Sequence, residues 1–106
     1  MFDVLEVSMK VLERLQPIEV AIRRESNQLA KQLTRAAESV SLNLAEGRAR
    51  KDGDQRRHYE MAAGSAHELS AALRIAKLRR YIGDAEYASV DEPLDRVRAM
   101  LYRLTH

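Results

Sequence analysis

The sequence predicts an all-α fold: an antiparallel up-down four-helix bundle in a single domain, 1–106. Three observations carry that prediction. Apolar side chains recur at three- and four-residue steps through four segments. Helix breakers are scarce, with 4 Gly and 2 Pro among 106 residues. The breaks that do occur leave only short turns, which make successive helices antiparallel neighbours.

The first helix is predicted over about 3–24. Asp3 is its N-cap, and Val4, Leu5, Val7, Met9, Val11, Leu12 and Leu15 supply its apolar content. Pro17 predicts a kink rather than a stop, because Ile18, Val20, Ala21 and Ile22 extend the apolar run. Ser26 is the N-cap of a second helix over about 27–49, whose core face is Leu29, Leu33, Ala36, Val40 and Asn43, widened by Leu44 and Gly47. A turn at 48–54 follows, with Asp52 or Asp54 capping the next element. The third helix, about 54–82, has the clearest pattern. Tyr59, Ala62, Ala66, Leu69, Leu73, Ala76 and Arg80 hold heptad spacing, and Met61, Ser65, Glu68, Ala72, Ile75 and Ile82 form a second stripe. Two such faces predict neighbours on both sides, one of them a candidate second subunit. Gly83 is placed as the C-terminal stop. The fourth helix is predicted after residues 89–93, with Pro93 near its first turn, and runs through Leu94, Val97, Met100, Leu101 and Leu104.

Composition excludes several classes of protein. With no cysteine there is neither a disulfide framework nor a thiolate metal site. No apolar run approaches the roughly 20 residues of a membrane span, and the N-terminus lacks a signal peptide's basic-then-apolar order, so a cytoplasmic protein without a membrane partner is expected. Net charge is only +2, but its distribution is uneven. Arg48, Arg50, Lys51, Arg56 and Arg57 cluster at one end of the helix two–three hairpin. Arg74, Lys77, Arg79 and Arg80 lie at the other end of helix three, roughly 30 Å away at about 1.5 Å per residue. After Gly83 the sign reverses, through Asp84, Glu86, Asp91, Glu92 and Asp95. The basic clusters are candidate phosphate-binding surfaces or solvated helix ends. No basic–aromatic interleaving accompanies them, so any nucleic-acid binding is expected to be backbone-directed.

Catalytic and metal motifs find no support. His67-Glu68 lacks the second histidine of a zinc-protease helix, since residue 71 is Ala, and no histidine lies three residues after a glutamate as in di-iron bundles. His58 and His67 are read as surface or interface residues. No Gly-x-Ser-x-Gly surrounds any serine. No catalytic residue, metal or cofactor is expected. Antiparallel pairing of helices two and three places Arg35 near Glu68 as a buried or half-buried ion pair. It also places Asn43 and Glu46 near His58 and Tyr59, with Asn43 a register-fixing core amide. The small residues Ala62, Ala63, Gly64, Ser65 and Ala66 predict close helix packing, with Gly64 at the contact, because glycine in mid-helix costs about 1 kcal/mol against alanine.

The segments Gln32-Leu33-Thr34-Arg35-Ala36-Ala37-Glu38-Ser39-Val40, Asn43-Leu44-Ala45-Glu46-Gly47, Ala63-Gly64-Ser65 and Glu68-Leu69 resemble a known bacterial family. These are the four-helix-bundle proteins named for the intervening sequences of 23S ribosomal RNA genes, and the resemblance covers about 28–82. It implies a small cytosolic bundle that assembles into a homopentameric ring. A related branch serves diversity-generating retroelements as an accessory protein binding nucleic acid and a reverse transcriptase. Arg35, Asn43, Glu46, Gly47, Gly64, Ser65 and Glu68 occupy what resemble the family's motif positions, with an architectural role. Ser41 stands where a proline is common, and the Phe-Pro pair usual before helix two is missing. The expected function is therefore non-enzymatic: a ring that binds RNA or DNA weakly through repeated basic patches, or alternatively a scaffold for a protein partner.

Overall fold

The computed structural model describes residues 3–106. Among these, four helices follow in order: α1 (Asp3–Glu25), α2 (Asn27–Arg48), α3 (Asp52–Leu78) and α4 (Asp84–Thr105). Each packs on its sequence neighbours and α1 closes against α4, while diagonal pairs make no comparable contact. This is the up-down square expected of short connections.

The α1–α2 connection is one residue. Ser26 is extended, its backbone N–H still bonds the Ile22 carbonyl, and its side chain accepts from the Leu29 N–H at 3.1 Å. Asp3 lies in the first turn of α1 rather than capping it, and the cap position falls outside the described residues. Pro17 does not end α1; it and Glu13, whose carbonyl it leaves without an intrahelical donor, lie on the exposed side.

Two boundaries differ from the sequence expectation. The α2–α3 turn is shorter than 48–54, and Lys51 takes the N-cap position of α3 with Asp52 and Asp54 in the first turn. Gln55 closes this turn from the side: its amide donates to the Gly47 and Arg50 carbonyls, both at 3.1 Å. The second difference is larger. α3 ends at Leu78, and Gly83 is the N-cap of α4 rather than the stop of α3. Arg80, at φ 63°, holds the left-handed position past the α3 cap, and the Tyr81 N–H reaches back to the Ala76 carbonyl at 2.9 Å. The Glu86 carboxylate accepts from the Gly83 N–H at 2.8 Å and starts α4 ten residues earlier than Leu94.

Pro93 therefore sits inside α4, not in its first turn. A proline there removes the N–H that would bond the Ser89 carbonyl. Arg14 of α1 supplies a replacement: its guanidinium donates to the Ser89 carbonyl at 3.1 Å and to Glu92 at 3.2 Å.

The core follows the predicted stripes. On α3, Tyr59, Ala62, Ala66, Leu69, Leu73 and Ala76 are all buried, while Arg80 is exposed. On α2 the buried row is Leu29, Leu33, Ala36, Val40, Leu44 and Gly47, and Asn43 is half-buried at its edge. The second α3 stripe divides. Ala72 and Ile82 are buried and Ser65 is half-buried, whereas Met61 and Ile75 are 45% and 44% exposed, so only part of that face is covered within the described residues. Ser8 and Ser41 share a hydrogen bond at 2.8 Å between α1 and α2, and no buried side-chain polar atom among the described residues lacks a partner.

Candidate functional site

The conspicuous polar motif of α2 and α3 forms a ladder along their seam. Residues 35, 39, 43 and 47 recur every four positions and so lie in one row on α2. Arg35 meets Glu68 at 3.6 Å, Ser39 meets Ser65 at 2.8 Å, and the Asn43 carbonyl meets His58 Nδ1 at 3.1 Å. Asn43 also donates to the Ser39 hydroxyl at 3.1 Å. His58 Nε2 lies 3.4 Å from the Arg57 guanidinium, and the two contacts together fit the tautomer in which Nδ1–H donates to Asn43 and Nε2 accepts from Arg57.

Three expectations about this seam need correction. The Arg35–Glu68 pair forms, but its side chains are 75% and 51% exposed, so it is a surface pair of little energetic weight. Glu46 does not face His58 or Tyr59; it holds Arg50 of the following turn at 3.0 Å. The glycine at a close contact is Gly47, not Gly64. A Cβ on Gly47 would stand 2.6 Å from the Tyr59 ring, while one on Gly64 would meet nothing within 4 Å. The Tyr59 hydroxyl, in turn, has its pKa raised by burial, partly opposed by the Arg48 charge.

The two basic clusters differ in how much charge is already used. At the α2–α3 turn, Arg50 pairs with Glu46 and Asp54, and Arg57 donates to Asp54 at 3.0 Å. That hydrogen bond from Arg57, opposed by desolvation but aided by the charges of Arg57 and Arg50, holds the Asp54 carboxyl below its ordinary range. Arg56 pairs with Glu60 and donates to the Thr105 carbonyl, closing the C-terminal end of α4. Lys51 is exposed at the cap position, and Arg48 is exposed with an interaction of its own. This end is largely neutralised by its own acids.

The opposite end is not. Lys77 lies 3.8 Å from Asp84 and 4.6 Å from the centre of the Tyr87 ring, but Arg74, Arg79 and Arg80 are exposed and make no ion pair among the described residues. They surround two depressions. One, of about 1080 Å³, runs between the end of α3 and the start of α4 past Arg74, Lys77 and Arg80. The other, about 240 Å³, lies beside Arg79 against the start of α2. Arg80 occupies a left-handed backbone position that costs a non-glycine residue about 1 kcal/mol or more.

Arg14, Gln55, Ser8 and the tyrosines of the α3–α4 groove were not singled out by sequence reasoning. Pro93 was the available signal for Arg14, since an interior proline obliges some donor to reach the carbonyl four residues earlier. Among the described residues no three His, Asp or Glu side chains converge as a metal site, and no helix is long and apolar enough to cross a membrane.

The sequence profile of a family described as 23S rRNA-intervening sequence protein matches residues 2–103. No curated protein matches the chain. Among solved structures, a protein of unknown function from the S23 ribosomal protein family of Bacteroides thetaiotaomicron is similar, with a TM-score of 0.87 at 19% identity. The match covers 96% of this chain and 97% of the other. At that identity the likeness speaks to the shared helical fold.

Proposed function

Since the chain belongs to the 23S rRNA-intervening sequence protein family, we propose that it is a non-enzymatic, cytoplasmic, ring-forming bundle that binds RNA or DNA weakly and without sequence preference. The observation that carries this reading is the α3–α4 end, where Arg74, Arg79 and Arg80 are exposed and have no acidic partner among the described residues. Arg50, Arg56 and Arg57 are engaged within the chain, which supports a smaller contribution from that end. A few cations on one chain give weak attraction, but a homopentamer presents the set five times on one particle, and repetition multiplies weak contacts.

Electrophoretic mobility shift with unrelated oligonucleotides at low salt tests this. Binding is expected to fall with salt, with a log–log slope of about −0.7 per phosphate neutralised on single strands. Triple Glu substitution at Arg74, Arg79 and Arg80 is expected to abolish it, and Glu at Arg50 and Arg57 to weaken it less. No shift at low salt refutes the reading, and a monomer mass by light scattering at micromolar concentration refutes the ring. A protein-interaction scaffold is the second reading, favoured by the apolar floor of the α3–α4 groove.

A further inference from the structure

The last turns of α3 present Ala71, Ile75 and Leu78 at i, i+4 and i+7, the spacing of a helix-pairing seam. No helix among the described residues covers them: Ile75 is 44% exposed and Leu78 82%. With Ile82 and Tyr81 they floor the groove of about 1080 Å³ between α3 and α4. That is as large as the upper range of small-molecule pockets, about 300–1,000 Å³, and it is open along its length rather than enclosing.

The rim is charged and unevenly balanced. Arg74, Lys77 and Arg80 line it together with Asp84 and Glu86. Glu86 is occupied by the Gly83 N–H at 2.8 Å, and Asp84 lies 3.8 Å from Lys77, so Arg74 and Arg80 have no acidic partner among the described residues. Arg80 also holds a positive φ at a position that favours glycine. A side chain kept there against backbone preference is consistent with use of its charge.

We propose that this groove docks an acidic amphipathic helix of a partner protein, its apolar face on Ile75 and Leu78 and its carboxylates against Arg74 and Arg80. A helix laid along an unpartnered apolar stripe buries it in the way helix-in-groove recognition does, and opposite charge at the rim sets its partner. The groove is poorly suited to nucleobases. The Tyr87 face is covered by Lys77, and the Tyr81 and Tyr87 rings pack against the core, leaving no free aromatic platform for stacking. The docking goes beyond the nucleic-acid reading and does not depend on it, because a polyanion has no use for Leu78.

Fluorescence anisotropy on the intact chain tests it, with a labelled designed helix of about five turns carrying Leu at one seam and Glu on both flanks. Saturable binding in the micromolar range is expected, weakened at least about tenfold by Leu78→Glu and by the pair Arg74→Glu/Arg80→Glu, and unchanged by Met61→Glu, an exposed apolar site elsewhere. Both groove substitutions fall on exposed side chains, and circular dichroism confirms the fold of each variant. Equal binding by the Leu78→Glu protein overturns the proposal, as does equal binding of a peptide with Lys in place of Glu. A smaller particle for Leu78→Glu in light scattering also overturns it, by making the groove a contact between copies of the chain. Tighter binding of a single-stranded RNA that is lost in Leu78→Glu overturns it in favour of nucleic acid. A failed mobility shift with peptide binding intact leaves this proposal standing and removes only the nucleic-acid reading.

Discussion

Gly47 and Gly64 of the α2–α3 hairpin should respond to the same substitution with opposite sign. In Gly47→Ala the new methyl would lie 2.6 Å and 2.8 Å from two Tyr59 ring carbons and 3.2 Å from the His58 Cβ. Tyr59 is 6% exposed and packed among core residues, so its ring cannot move aside without unpacking them. Overpacking of this kind costs about 1–3 kcal/mol. Alanine's helix preference returns at most about 1 kcal/mol, and less here because α2 ends at Arg48. The net expectation is a loss of about 1–2 kcal/mol. In Gly64→Ala the methyl meets nothing within 4 Å on an exposed turn of α3, so the helix preference stands alone and the chain gains about 1 kcal/mol. Urea unfolding followed by circular dichroism, at one fixed protein concentration because assembly shifts apparent stability, measures both. Adding Tyr59→Leu to Gly47→Ala should show a favourable coupling, since the smaller side chain makes room for the methyl. A Gly47→Ala protein as stable as the parent would refute the close-contact assignment. A destabilised Gly64→Ala would show that this face is covered in the assembled protein.

Further outcomes follow from other contacts. Arg14→Ala should cost about 1 kcal/mol in urea unfolding, because the Ser89 carbonyl freed by Pro93 loses its donor. Ser8→Ala should cost more than Ser41→Ala in the same assay, by roughly 1 kcal/mol, since Ser8 retains the Leu5 carbonyl at 2.7 Å whereas Ser41 loses its hydroxyl partner. Arg80→Gly should raise stability by about 1 kcal/mol by relieving the positive φ, and should at the same time weaken any mobility shift. The Asp54 carboxyl should titrate below its ordinary 3.8 when followed by NMR, and Arg57→Ala should move it back up. Because its folded value is lowered, its contribution to stability is present above the unfolded value and is lost as pH falls through the folded one, below 3.8.

Spacing along the chain was enough to say which faces of α2 and α3 turn inward. Tyr59, Ala62, Ala66, Leu69, Leu73 and Ala76 share a face by spacing alone, and all are buried. The same reasoning paired α2 with α3 closely enough to bring Arg35 to Glu68 and Asn43 to His58. Ser26 was legible as a cap because capping is settled within three residues. Other contacts across those faces depend on the folded chain. Gly47 and Gly64 read alike in sequence, but one lies under Tyr59 and the other faces outward. Pro93 looked like a helix start because a proline's local cost is certain, while the Arg14 side chain that bonds the freed Ser89 carbonyl lies 75 residues before Ser89. The basic clusters were equally positive as sequence, yet acids one helical turn away quench one of them and leave Arg74, Arg79 and Arg80 open. Periodicity is a property of one helix. Contact, neutralisation and grooves belong to pairs of helices, and no single segment encodes them.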